Sequence, residues 1–299
     1  MSTRNCPVCN TAASNAIHFM SPNIDLDKLS EFSFASRKMP EFMCHELVQC
    51  PECDLVYVPN PPDQSDLSQA YHVSDFDSSQ EAVDAAHAYS MASKAVFDRV
   101  GSKRRALEIG TGTGIFLERL KEVGFDEVVG VEPSIAAINA APLYRQKWIR
   151  EGIFNEKDFD VQSFEFVCCF MTLEHVRDPQ DLVSAAYRLL RPGGAIALVT
   201  HDYRSVVNRV LGSRSPIIDI EHMQLFSPRS IRRLLDTNGF GNIDVVSFRN
   251  RYALKYWVRL MPFGQPTKVK VIRVLDFLGL ADLKLSINVG NVMSVGYRV

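Results

Sequence analysis

The segment Ala106-Leu-Glu-Ile-Gly-Thr-Gly-Thr-Gly-Ile-Phe-Leu-Glu-Arg-Leu120 most constrains the fold. A short apolar run enters three glycines at alternate positions, 110, 112 and 114, and leaves with helical spacing. Glycines allow a tight backbone turn and the close approach of a ligand, because no Cβ intervenes. A strand that turns directly into a helix needs further parallel strands to bury both of its faces. The downstream pattern supplies them. Strands are expected at 106–109, 127–131, 147–150, 164–170, 195–200, 242–248 and 292–299. Helices are expected at 115–123, 135–141, 179–190, 227–238 and 268–280. Ser227 and Pro228 suit a helix start, Gly239 a stop, and Arg191-Pro-Gly-Gly194 a break before the fifth strand. The fold class is therefore α/β: a doubly wound, seven-stranded, mostly parallel sheet with helices on both faces. There is no internal repeat.

The glycine spacing is G-x-G-x-G preceded by Glu108, whereas a dinucleotide loop is G-x-G-x-x-G. A second acid, Glu132, ends the next strand, where a carboxylate can accept both hydroxyls of a ribose. Together these suit a ligand with a cationic end and a ribose but no pyrophosphate. The plainer reading is a glycine turn that binds nothing.

Four of the seven cysteines form two knuckles, Cys6-Pro-Val-Cys9 and Cys50-Pro-Glu-Cys53. Tetrathiolate zinc sites pair two such turns. Cys6, Cys9, Cys50 and Cys53 are therefore expected to hold a structural zinc, with reduced core or redox thiols as the alternative. Asn10 and Asp54 follow the knuckles, where the backbone usually turns left-handed; they are the types that tolerate this best after glycine. Cys44 and His45 stand by as substitute ligands, while Cys168 and Cys169 fall on a strand and read as core.

The run Glu108-Ile-Gly-Thr-Gly-Thr-Gly114 is followed in order by Glu132-Pro-Ser, Phe164-Glu-Phe-Val-Cys-Cys-Phe170, Leu173-Glu-His-Val-Arg-Asp-Pro179 and Leu189-Leu-Arg-Pro-Gly-Gly194. On these residues the chain, over roughly 105–299, resembles the class I S-adenosylmethionine-dependent methyltransferases of the Leu-Glu-His type. The resemblance implies a Rossmann-like methyltransferase fold with S-adenosylmethionine as cofactor. It implies that Gly110, Thr111, Gly112 and Gly114 pass under the methionine and ribose, that Glu108 faces the cationic end, and that Glu132 and Pro133 meet the ribose. Gly152 and Ile153 would border the adenine, and Met171 and Thr172 the transferred methyl. Small-molecule methyltransferases similar to this chain carry a like knuckle pair ahead of a Tyr-containing loop. The implied units are a zinc-ribbon-like module at 1–62, a linker loop and helix over the cofactor site at 63–104, and the methyltransferase domain at 105–299.

Transfer to a hydroxyl or carbon acid needs a proton acceptor, and histidine serves near neutral pH. His175, His201 and His222 all fall at expected strand ends or in the loops there. His175 belongs to the family motif and so has a structural reading as well, leaving His201 and His222 as the better bases. Tyr71, His72 and Tyr203 are candidates for the substrate site. The stretch 255–270 mixes aromatics and bases, and reads as a packed insertion or as a contact to a phosphorylated substrate.

With 33 basic and 35 acidic residues the net charge is −2, which argues against a nucleic-acid partner. Neither a membrane span nor a signal-peptide core is evident, so the expected compartment is the cytoplasm. The expected partner is a small-molecule acceptor with an O or C nucleophile, from a sugar, polysaccharide-precursor or secondary-metabolite pathway; no oligomeric state is specified. Two alternatives stand beside this: an RNA methyltransferase with a zinc-knuckle module, and a non-catalytic protein that binds S-adenosylmethionine and zinc.

Overall fold

The computed structural model describes residues 3–25, 27, 42–73 and 79–299. Residues 26 and 28–41, between the two knuckles, lie outside these residues. The chain begins with three short strands, β1 (Ile17–Met20), β2 (Leu47–Gln49) and β3 (Val56–Tyr57). Three helices follow: α1 (Gln64–Val73), α2 (Ser79–Ala92) and α3 (Lys94–Arg99). Helix α1 occupies part of the polar stretch that the composition marks as linker. The helix expected within 63–104 divides into α2 and α3 at the buried Ser93.

The glycine segment then opens the main sheet. In order come β4 (Arg105–Ile109), α4 (Ile115–Glu122), β5 (Glu127–Glu132), α5 (Ile135–Ala140), α6 (Leu143–Gln146), β6 (Ile149–Glu151), β7 (Phe164–Phe170) and α7 (Pro179–Leu189). They are followed by β8 (Leu190–His201), α8 (Val206–Leu211), β9 (Gln224–Leu225), α9 (Pro228–Thr237) and β10 (Phe240–Ser247). The chain ends with β11 (Asn250–Ala253), α10 (Leu254–Leu260), α11 (Gln265–Phe277), β12 (Lys284–Ile287) and β13 (Asn291–Arg298).

Seven strands form one sheet in the order β10-β13-β8-β7-β4-β5-β6. Only β13 runs against its neighbours. All seven residues of β7 are buried, as a central strand covered on both faces requires. Its one charge, Glu165, is satisfied by the Arg105 N–H at 2.8 Å and the Ser102 hydroxyl at 3.2 Å. Helix α9 starts as its sequence indicates: the Ser227 hydroxyl accepts from the Ser230 N–H, the Ser230 hydroxyl accepts from the Ser227 N–H, and Pro228 occupies the first turn. Ile231, Leu234 and Leu235 then face the core.

Three boundaries differ from expectation, each at a bulge or cap. The fifth strand does not wait for Ala195. It begins at Leu190, which pairs with Phe164, and a register shift absorbs the intervening proline and glycines. The strand expected from Asn242 begins at Phe240, with Asn242 left-handed at φ 48° in an irregularity of the pairing. Helix α11 starts earlier, at Gln265, because Pro266 suits a first turn. The small ribbon of β11 and β12 carries no sequence signal strong enough to predict.

The N-terminal strands do not close on themselves. Their sheet has the order β1-β2-β3-β9, so β9 from the second half completes it through Val56↔Leu225 and Tyr57↔Gln224. Cys6, Cys50 and Cys53 share a hydrophobic cluster with Leu107, Val167 and Leu198 of the main sheet. The core thus crosses the sequence boundary expected at residue 62. No helix among the described residues is long and apolar enough to cross a membrane.

Candidate active site

A cavity of about 910 Å³ opens over the carboxyl ends of β4, β5, β7 and β8, where open parallel sheets place their ligands. One side is built from the glycine loop. Gly110, Gly112 and Gly114 have φ of 74°, 56° and 67°. A Cβ on Gly110 would collide with the Thr172 side chain, so the loop and the end of β7 approach as only glycine permits. Gly114 caps α4 and is not among the cavity walls.

Glu108 and Glu132 stand on either side of this loop, both buried. The Thr111 hydroxyl donates to Glu108. Burial nevertheless raises the Glu108 pKa to about 8, with the charge of Glu132 adding to the shift and the Thr111 bond opposing it. Glu132 accepts from the Gly112 N–H at 2.6 Å and the Ser134 N–H at 2.9 Å. Its pKa is also raised by burial, against those two bonds. Two buried carboxyls with little cationic compensation fit a ligand that brings positive charge and hydroxyl donors. Pro133, Gly152, Ile153, Met171 and Thr172 line the same space. Met171 is left-handed at φ 54°, which turns the chain out of β7 into the Leu-Glu-His segment.

The other side gathers the three histidines. The His222 Nδ1 lies 2.8 Å from the Ile217 carbonyl oxygen. A carbonyl only accepts, so Nδ1 carries the proton and Nε2 keeps its lone pair. Burial lowers the His222 pKa to about 4, and the neighbouring His175 adds to this. His201 places Nδ1 at 3.1 and 3.2 Å from the two oxygens of Glu174 and donates its backbone N–H to the same carboxylate at 2.9 Å. Glu174 is 0% exposed. Burial alone would raise its pKa, but the charges of His201, His222 and His175 and the His201 bond outweigh it and bring it to about 2. His175 Nδ1 meets the Tyr71 hydroxyl at 3.0 Å and Glu221 at 3.4 Å. Burial pulls its pKa down, but the acids Glu221, Glu174 and Asp219 prevail and raise it. Ring centroids lie 4.8 Å apart for His175 and His222 and 5.8 Å for His201 and His222.

Of the expected substrate residues, only Tyr71 lines the cavity. His72 lies outside it, with Nδ1 3.3 Å from the Pro133 carbonyl. Tyr203 is turned away: its hydroxyl donates to the Asp54 carbonyl at 2.9 Å, behind the second knuckle. An aromatic at a strand end reads as a pocket residue until the partner it packs on is known. Asp219 and Glu221, just before His222, and Tyr252, Tyr256 and Trp257 also line the cavity, and no motif in the sequence marks them. The last two belong to the stretch read mainly as packed insertion.

The four knuckle sulfurs lie within 4.8 Å of one another, with Cys6–Cys53 at 3.4 Å and Cys9–Cys50 at 3.5 Å. Asn10 and Asp54 are left-handed, at φ 58° and 71°, and the Asn10 and Asp54 N–H groups return to the Cys6 and Cys50 carbonyls. This donor set fits a tetrahedral metal. Cys44 lies in a different cluster, with Leu47 and Val56, and neither it nor His45 joins the four. Cys168 and Cys169 are fully buried in β7.

Comparison with known proteins agrees with the geometry. The chain is similar to a ubiquinone biosynthesis O-methyltransferase of Psychrobacter arcticus, at 24% identity over 171 residues that cover 52% of this chain and 66% of that protein. A protein of the same name from Pectobacterium carotovorum is 27% identical over 194 residues, covering 62% and 72%. Matches to such relatives reach from 44% to 72% of their length. Among solved structures, a SAM-dependent methyltransferase from Archaeoglobus fulgidus is 17% identical, with 71% of this chain and 94% of that one covered and a TM-score of 0.49. Residues 77–245 match the family model described as a methyltransferase domain. The chain belongs to that methyltransferase-domain family.

Proposed function

We propose that the protein transfers a methyl group from S-adenosylmethionine to an O or C nucleophile of a small molecule. The observation that carries this reading is the meeting, in one cavity, of the Glu108–Glu132 glycine cradle and the histidine cluster. The name of the relatives, O-methyltransferase, favours oxygen as the acceptor atom.

Bound in the cradle, S-adenosylmethionine supplies a methyl group activated by a sulfonium. Glu132 would hold the ribose hydroxyls, with Gly110 and Gly112 letting the backbone pass beneath. Glu108 would face the cationic end. Met171 and Thr172 would border the methyl, and Gly152 and Ile153 the adenine. His222 Nε2 takes the proton of the acceptor as its nucleophilic atom attacks. His201 flanks it, held by Glu174. Tyr71, His175 and Glu221 form the wall opposite and fix the acceptor's orientation. The knuckle cysteines hold a structural zinc, since four thiolates leave no open position for chemistry. In this reading 1–62 braces the second wall of the cavity, 63–104 covers it, and 105–299 carries the cofactor.

The test is incubation with methyl-labelled S-adenosylmethionine and panels of phenolic and glycosyl acceptors. Label on an acceptor supports the reading. Absence of binding to both S-adenosylmethionine and S-adenosylhomocysteine in calorimetry overturns it.

A further inference from the structure

Asn250 and Asn291 stand at the starts of β11 and β13, on adjoining segments linked by the Phe248 N–H and the Asn291 carbonyl at 3.1 Å. Both are buried, at 3% and 2% exposure, and both line the cavity. The Oδ1 of each is shielded from solvent and accepts no hydrogen bond among the described residues. A buried acceptor without a donor is costly, and natural folds rarely leave one without a reason. Two such oxygens, in residues on neighbouring segments that line one cavity wall, are unsatisfied acceptors beside the space a ligand would fill.

The surroundings narrow the ligand's chemistry. The pairing of β13 with β8 sets Asn291 opposite His201, so the two carboxamides border the reacting end of the cavity. Beyond them Tyr252, Tyr256 and Trp257 form a wall, with ring centroids 4.8 to 6.4 Å apart. The Trp257 Nε1–H is committed to the Leu285 carbonyl at 3.2 Å, so the indole offers its carbon surface rather than a donor. Carboxamides carry no charge, so their oxygens can be satisfied by a hydroxyl without any counter-charge on the ligand. As placed neither oxygen is open to solvent, so a turn of each carboxamide about its Cβ–Cγ bond is part of what binding would require.

We propose that Asn250 and Asn291 form a hydroxyl-reading subsite for a ring-shaped acceptor that bears adjacent hydroxyl groups and rests one face on Tyr252, Tyr256 and Trp257. One hydroxyl is held by the asparagines while a neighbouring position is presented to His222. This subsite rests on the methyltransferase reading of the cavity. The shared chemistry is a ring with vicinal hydroxyls, whether aromatic or glycosyl.

Calorimetry on the full chain saturated with S-adenosylhomocysteine tests it with two matched pairs of probes. These are catechol against 1,2-dimethoxybenzene, and methyl glucopyranoside against its permethylated form. The wild type is expected to bind at least one hydroxylated probe about tenfold more tightly than its methyl ether, the size of one or two hydrogen bonds. The pair that shows the preference identifies the ring. The double variant Asn250→Leu/Asn291→Leu is expected to lose the preference while keeping its affinity for S-adenosylhomocysteine. A wild type with no preference in either pair overturns the subsite, as does a preference that survives in the double variant. Should the double variant lose S-adenosylhomocysteine binding through misfolding, the wild-type comparison decides alone. Failure of the wild type itself to bind S-adenosylhomocysteine overturns the methyltransferase reading instead.

Discussion

The Nδ1–H of His222 is held by the Ile217 carbonyl at 2.8 Å, which leaves Nε2 as the only basic atom of that ring. With the His222 pKa lowered to about 4, the ring is neutral over the whole physiological range. The acid limb of kcat/KM is therefore expected near pH 4, well below the ordinary histidine value. His222→Ala is expected to lower turnover by about 10²–10⁴-fold with cofactor affinity intact. Turnover within threefold of wild type would remove His222 as the base.

Glu174 gives a second, independent test. Its pKa falls to about 2 in the fold, so ionised Glu174 stabilises the native state. The sign follows from linkage: the contribution is complete above the ordinary glutamate pKa and is lost as pH drops through the folded value. Glu174→Gln is expected to cost about 3 kcal/mol at neutral pH, a gap that narrows below pH 4 and closes near pH 2. Denaturant melts of both proteins from pH 2 to 7 measure it. A constant gap across that range would show that the carboxylate's charge is not what stabilises the site.

Glu108 has the opposite sign. Its pKa of about 8 means the carboxyl is mostly protonated at pH 7 before a cation arrives. Binding of S-adenosylmethionine is then expected to release close to one proton, about 0.9 at pH 7. Calorimetry in buffers of different ionisation enthalpy reads this directly, and Glu108→Gln should abolish the buffer dependence. Equal enthalpies in all buffers for the wild type would mean Glu108 does not ionise against the ligand.

The knuckles lead to a prediction about metal. The purified protein is expected to carry about one zinc per chain, measured by elemental mass spectrometry. Cys50→Ser or a strong chelator is expected to remove it and lower the melting temperature by about 10 °C or more. Because the cluster of Cys6, Cys50 and Cys53 continues into the main core, melting should remain a single transition. A separate early transition would mean that the two parts fold independently.

The cofactor side of the cavity was legible because its chemistry is written in consecutive residues. Glu108, the alternate glycines and Glu132 all lie within two strand-and-turn units, and local spacing carries their geometry. The knuckles were legible for the same reason, down to the left-handed Asn10 and Asp54. The acceptor side was not. Tyr71, His175 and Glu221 meet from three distant parts of the chain, and no local pattern tells which residues will face one another. The histidines were found because the motif and the strand ends point to them, whereas Asp219 and Glu221 have no such marker. Tyr203 was misread because its partner, Asp54, lies in another part of the fold. Tyr252, Tyr256 and Trp257 are positioned by β11 and its ribbon partner, strands too short for their alternation to stand out.

The strand β9 has a consequence for how the chain comes to be folded during synthesis. Val56 leaves the ribosome about 170 residues before its pairing partner Leu225. Arg4 waits longer still, 173 residues for the Arg177 carbonyl and 219 for that of Met223. At a synthesis rate of about 5–20 residues per second that interval is on the order of ten seconds or more. During it β3, paired with β2 on one side, presents an open edge on the other, the kind of edge that can pair with another chain. The knuckle strands are thus made well before the strand that completes their sheet.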